Sequence, residues 1–201
     1  MGTHKKQIVF ILSIIIIIST CLIYLPTLSS GFLWDDIHLI SHPLHVGSNP
    51  YAFFFGGEVY YRPLVHLSMN FDYTIWHLNP VGYHITNIAL HTANSLMIFF
   101  LCFYLLSNGF SQFRKTFPEP AKASQIMTIS FLAALLFALH PVHTESVAWI
   151  SGRTDLLATF FFLLAFLSFL TYEKEGRSIS LFLSGFFLSA PFSAKKMQLH
   201  I

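Results

Sequence analysis

Asp35 and Asp36 stand side by side in the run Phe32-Leu33-Trp34-Asp35-Asp36, a few residues past the first long apolar stretch of the chain. That position puts two carboxylates at the level where bilayer meets water. A carboxylate there can take a proton from a substrate hydroxyl if the two come within hydrogen-bond reach. Adjacent residues rarely point the same way, so one of the pair is expected to be a base and the other a supporting residue, with a slight preference for Asp36 as the base. The plainer reading is an interfacial pair that caps the loop. His38, His42 and His45 follow closely. Histidine and carboxylate together can hold a divalent metal. Their spacing on an irregular loop is not diagnostic, and neither a metal nor another cofactor is expected.

A second group of polar residues lies 100 residues on. His140-Pro141-Val142-His143-Thr144-Glu145 is followed by Gly152-Arg153-Thr154-Asp155. Arg62 and Arg153 are the arginines expected on the same side of the membrane as the aspartate pair. The plain alternative for each is an ion pair with Asp72 or Asp155. Glu145 and Asp155 are candidates to orient a substrate, or else cap helices. His140 and His143 are candidates to line the same cavity, whereas His84 and His91 are expected to satisfy hydrogen bonds between helices.

The elements that must position these groups follow from composition. Of 201 residues, 54% are hydrophobic and 10% charged, against about 25% charged in a soluble domain. Several apolar runs approach the roughly 20 residues that cross a bilayer. The chain therefore reads as an all-α polytopic membrane protein forming a single membrane domain. Spans are expected at about 8–25, 83–106, 125–139, 156–172 and 180–194. The loops 29–82 and 140–155 lie between them. The first run is longer than a signal-peptide core and lacks a small-x-small site, which favours a retained anchor. Cys21 and Cys102 fall inside apolar runs and read as buried packing residues.

Within the first loop, Pro63 to Trp76 reads as an amphipathic helix with proline in its first turn. Leu64, Leu67, Phe71 and Ile75 share one face, and Asn70, Tyr73 and His77 another, which suits a helix lying along the membrane surface. Asn49-Pro50 followed by residues 51–55 suggests a second interfacial piece. On the second span His84, Asn87, His91 and Asn94 form one polar stripe, which must face protein or a water-filled cavity. Lys5, Lys6, Arg114, Lys115, Lys122, Lys174 and Arg177 fall on one side and Arg62 and Arg153 on the other. That asymmetry puts the N-terminus in the cytoplasm, with Lys195 and Lys196 as exceptions. Asp35, Asp36, Glu145 and Asp155 then all face away from the cytoplasm. No basic patch with interleaved aromatics is present, which argues against nucleic-acid binding.

Several blocks also match a known pattern: Phe32 to Asp36, Tyr61-Arg62-Pro63-Leu64, Asp72-Tyr73-x-x-Trp76, and Pro80-x-Gly82-Tyr83-His84-x-x-Asn87-x-x-x-His91-x-x-Asn94. The last is the unbroken run from Phe137 to Leu157. In this order they resemble the N-terminal membrane part of the transmembrane and tetratricopeptide-repeat O-mannosyltransferases and their bacterial homologues, within the GT-C class of glycosyltransferases. The resemblance covers about residues 7 to 190. It implies a helical bundle with a long first extracytoplasmic loop bearing interfacial helices. It also implies transfer of a sugar, typically mannose, from a polyprenyl-phosphate carrier to a Ser/Thr hydroxyl of a secreted or membrane protein, with inversion.

In that class the catalytic carboxylate lies in the first loop, which here maps to Asp35 or Asp36. Arg62 or Arg153 would then meet the leaving phosphate, because a planar guanidinium can bind two of its oxygens. The implied setting is a bacterial inner membrane or the endoplasmic reticulum membrane. Family members carry about twice as many spans, and Ser193-Ala194-Lys195-Lys196 departs from their Ser-Lys-Glu, so a truncated chain is the expectation. The alternative reading is a non-catalytic remnant or scaffold of the same fold. A transporter is a weaker third, motivated by the polar stripe.

Overall fold

A computed structural model describes residues 3–37, 40, 62–108, 123–176 and 178–192. His38, His42, His45 and the stretch 51–55 lie outside the described residues. Helix α1 (Thr3–Tyr24) is an isoleucine-rich run with no internal Gly or Pro, and Pro26 turns its end into a 3-10 turn, Leu25–Ser29. Helix α2 covers Pro63–Trp76 and opens on its proline. Helix α3 is Pro80–Asn108 and α4 is Ala123–Leu139. Pro141 then forces a break into a 3-10 turn (Pro141–His143), the short α5 (Thr144–Ala148) and another 3-10 turn (Ile150–Gly152). Helix α6 (Arg153–Glu175) ends where Gly176 adopts φ +65°, a left-handed stop that suits glycine. Helix α7 is Ser178–Phe192. No strand occurs among the described residues.

The protein is an integral membrane protein. Three helical stretches are long and apolar enough to cross a bilayer: His4–Ser29, Pro80–Ser107 and Ile150–Glu175. A fourth is made if Ala123–Leu139 and Pro141–Ala148, bent by 44°, count as one broken span. The last of the five expected spans is a shorter apolar helix, Ser178–Phe187 among the residues searched.

Helix α3 is the central post. It packs against α1, α2, α4 and α6, while α7 lies on α6. Near one end Ile16, Phe99 and Ala134 join α1, α3 and α4. The alanine lets the backbones approach. Near the other, Val65 and Met69 of α2 meet Tyr83, Ile150 and Leu157. Between them, Tyr24 and Ile88 pack with Val147 and Leu156.

The polar stripe of α3 faces protein. Asn87 Nδ2 donates to the carbonyls of Val147, Trp149 and Ile150 at 3.3, 3.0 and 3.4 Å. Asn94 Nδ2 donates to Leu156 O at 3.0 Å, and His91 Nε2 lies 3.0 Å from Ala138 O. The break after α4 puts Ala138 and Val147 at helix ends, where carbonyls need other donors, and the stripe supplies them. Trp149 O and Ile150 O also accept from the Gly152 and Arg153 N–H groups, and Leu156 O lies within α6. No water-filled passage is required to explain it.

On α2 the stripe of Leu67, Phe71 and Ile75 is exposed, as an interfacial helix needs. The buried face is a third one, Val65, His66, Met69 and Asp72. Cys21 corrects the expectation of burial: it is exposed and lines an outward apolar groove between α1 and α3 of about 470 Å³. Cys102 is half-buried, and both cysteines are free.

Candidate active site

The Phe32–Asp36 run forms a tight turn. Asp36 N–H donates to Leu33 O at 2.9 Å, and Leu33 N–H donates to Asp36 Oδ2 at 2.8 Å. The other oxygen, Oδ1, accepts from the Ser151 backbone N–H at 2.9 Å and the Ser151 hydroxyl at 2.5 Å. Asp36 is 1% exposed. Its carboxylate therefore clamps the loop after α1 to the turn before α6, and both its oxygens are engaged. Asp35, one residue earlier, points outward and is exposed.

Asp35 faces a cavity of about 210 Å³, whose wall also carries Arg62, Glu145, Trp149, Thr154 and Asp155. Four separate stretches meet here. Arg62 is the residue just before α2, Glu145 sits in the first turn of α5, and Asp155 in the first turn of α6. Acids are favoured in first helical turns, where the backbone N–H ends point at them. The Ser146 hydroxyl steadies Asp155, donating to Oδ2 at 3.3 Å.

Arg153 is placed apart from Arg62. It is not among the residues lining the cavity. It is fully buried, its Nη1 lies 2.6 Å from Asp72 Oδ2, and the ion pair with Asp72 offered as its plain alternative is the one it makes. Nε donates to Asn87 Oδ1 at 2.8 Å, Nη2 to Tyr83 O at 2.9 Å, and Nη1 to the Ser68 hydroxyl at 3.4 Å. A guanidinium so committed fixes α2 to α3 and α6.

The two histidines also lie apart from the cavity wall. His140 Nδ1 accepts from Val142 N–H at 3.2 Å, capping the 3-10 turn. His143 packs on Phe137 at 4.3 Å between ring centres and beside His91 at 5.3 Å.

Sequence reasoning missed Trp149, Ser151 and Thr154 as parts of the site. The signal was available: α6 begins within the polar stretch Ser151 to Asp155, which brings the donors of Ser151 beside an acid. Gly152 shows how closely these turns approach. A Cβ there would lie 2.8 Å from Ser146 O and 2.9 Å from Glu145 O. Gly152→Ala is expected to cost about 1–3 kcal/mol by overpacking, seen as a lower thermal midpoint in detergent. Gly185→Ala, which meets nothing within 4 Å, is the control and should hold or raise the midpoint.

No family model and no solved structure matches this chain. Curated relatives do. Protein O-mannosyl-transferase TMTC3 of Homo sapiens is 31% identical over 190 residues, 88% of this chain and 18% of that protein. Protein O-mannosyl-transferase TMTC4 of Homo sapiens is 42% identical over 130 residues, 61% of this chain and 16% of that protein. Protein O-mannosyl-transferase Tmtc3 of Drosophila melanogaster is 42% identical over 116 residues, 54% of this chain and 12% of that protein. The chain thus spans less than a fifth of the length of each of these relatives.

Proposed function

Because this chain belongs to the TMTC-like protein O-mannosyl-transferase family, we propose that its cavity transfers a mannosyl group from a polyprenyl phosphate to a protein Ser/Thr hydroxyl, with inversion. The observation that carries this reading is the meeting of Asp35, Arg62, Glu145 and Asp155 in one cavity at the head of the spanning helices. A lipid-bound phosphosugar presents its reacting carbon at that depth, so a base must wait there.

Asp35 is the base in this reading. The preference for Asp36 gives way because Asp36 is buried and its oxygens already accept three N–H and O–H donors from Leu33 and Ser151. Asp35 takes the proton of the acceptor hydroxyl as that oxygen attacks the sugar's anomeric carbon. The bond from that carbon to the phosphate oxygen breaks on the opposite face, and its electron pair leaves with the lipid phosphate. Arg62 is the cation placed to meet the growing charge on that phosphate. Glu145 and Asp155 accept hydrogen bonds that orient the acceptor. Asp36 is a positioning residue that holds Asp35 against the second loop. Such a site belongs to the GT-C class and, by the Lys/Arg asymmetry, works on the side of the membrane away from the N-terminus.

The test is reconstitution of the protein into liposomes with polyprenyl-phosphate [³H]mannose and a Ser/Thr peptide. Label on the peptide hydroxyl is expected. Correctly inserted protein that binds donor yet transfers nothing would leave a scaffold of the same fold.

A further inference from the structure

One indole ring lines this cavity and a second, outside its wall, stands against the first, neither with a task in the scheme above. Trp34 has φ +43°, a conformation that a bulky side chain rarely adopts and that marks strain held for a purpose. It precedes Asp35 directly and is 86% exposed. The strained turn throws the ring outward to meet Trp149 edge-on, with ring centres 6.2 Å apart. Trp149 lines the cavity itself. Its indole N–H is shut off from water and has no hydrogen-bond partner among the described residues. A buried indole N–H normally finds an acceptor, and this one, closed off as the ring stands, would meet an acceptor carried by a guest once the ring turns toward the cavity.

The cavity limits what that guest is. At about 210 Å³ it lies below the roughly 300–1,000 Å³ of pockets for larger ligands, which suits one sugar ring and not an oligosaccharide. Among the described residues its wall holds three carboxylates, Asp35, Glu145 and Asp155, against one guanidinium, Arg62. Carboxylates accept hydrogen bonds from neutral hydroxyls and repel an anionic sugar. The C–H face of a pyranose packs on an indole ring, and its hydroxyls offer acceptors to an indole N–H.

We propose that Trp34 and Trp149 form the sugar subsite of the donor, taking a single neutral hexose with Trp34 as the stacking face and Trp149 as the hydrogen-bond donor. This rests on the glycosyl-transfer reading of the cavity. Trp34 is nearly free of packing, so its ring can turn to admit the sugar and close on it. The two rings come from the two loops that Asp36 ties together, which links sugar binding to the clamp.

Two measurements separate this inference from the transfer reading. The first is tryptophan fluorescence of the liposome-reconstituted protein titrated with polyprenyl-phosphate mannose and, in parallel, with polyprenyl phosphate alone. A quench that needs the sugar is expected, and it should disappear in Trp149→Leu. The second is transfer kinetics. Trp34→Leu is expected to raise the donor KM about tenfold while Trp34→Phe, which keeps a ring, stays near the parent. Trp149→Phe, which keeps a ring and loses the N–H, should also raise it. A glucuronic acid donor should compete at least tenfold more weakly than the mannose donor. Transfer with unchanged donor KM in both Trp34→Leu and Trp149→Leu would overturn the subsite and leave the transfer reading standing. A sugar-dependent quench without transfer would do the reverse. Loss of membrane insertion in Trp34→Leu, with normal donor binding by the inserted fraction, would reassign Trp34 as an interfacial anchor.

Discussion

On the proposed reading, Asp35→Asn is expected to drop sugar transfer by about 10²–10⁴-fold, the usual contribution of a general base, while insertion, thermal midpoint and donor KM stay at parent values. The split follows from where the side chain sits. Asp35 is exposed at the cavity, so the amide, with the same shape, leaves no void and breaks no buried bond. What it loses is the ability to accept a proton. By transition-state arithmetic that loss is about 3–5 kcal/mol of barrier.

Asp36→Asn next door behaves differently. Donors approach both of its oxygens, from Ser151 on one and Leu33 on the other. An amide NH₂ must face one of these sets, donor against donor, so the clamp opens. The thermal midpoint falls and the donor KM rises along with the loss of rate. The paired variants, measured by midpoint and by initial rate against donor concentration, assign the two roles. Parent-like turnover in Asp35→Asn would move the base to Glu145 or Asp155, the other acids of the same wall.

Much of the frame could be read from residue order alone. Pro63 and the four-residue spacing of apolar side chains mark α2, and apolar length marks α1, α3 and α6. The meeting of the two loops at the head of the spans also follows from the motifs. What the residues concealed was which of two neighbours faces inward. Asp35 and Asp36 have the same chemistry, and a turn separates them by the direction of one backbone step. That direction is set by Ser151, 115 positions away in the chain, so no local pattern announces it. Arg153 was concealed for a related reason. In Gly152-Arg153-Thr154-Asp155 it reads as a surface cation beside an acid. Its partner is Asp72 on α2, one of the two acids its plainer reading offered, and the choice between them is settled only once α2 lies against α3. The stripe on α3 was plain, yet its partners are backbone carbonyls, which have no residue letter. The break at Pro141, which leaves Ala138 at a helix end, was the clue for the carbonyl that meets His91.

Arg153→Met, which keeps an unbranched apolar stem and removes the charged head, should detach α2 from the bundle. Asp72 is 1% exposed and would be left as a buried charge without its cation. Breaking one half of such a pair costs about 3–5 kcal/mol, a large share of any domain's stability. Arg153→Lys should fare almost as badly. The guanidinium serves Asp72, Asn87, Tyr83 and Ser68 at once, and a single ammonium cannot span that fork. The double variant Arg153→Met with Asp72→Leu removes both charges, so it should recover part of the loss and leave the Thr86 hydroxyl, which donates to Asp72 at 2.8 Å, with Gly82 O at 3.3 Å as its acceptor. The measurements are the thermal midpoint in detergent and protease cutting within 63–76. Because Arg62 directly precedes α2, undocking also pulls it from the cavity, so donor KM rises in the same variants. That order, Met and Lys worst and the double variant intermediate, distinguishes a structural tie from a phosphate ligand. A phosphate-binding Arg153 would instead show raised donor KM with an unchanged midpoint, and no rescue by altering Asp72.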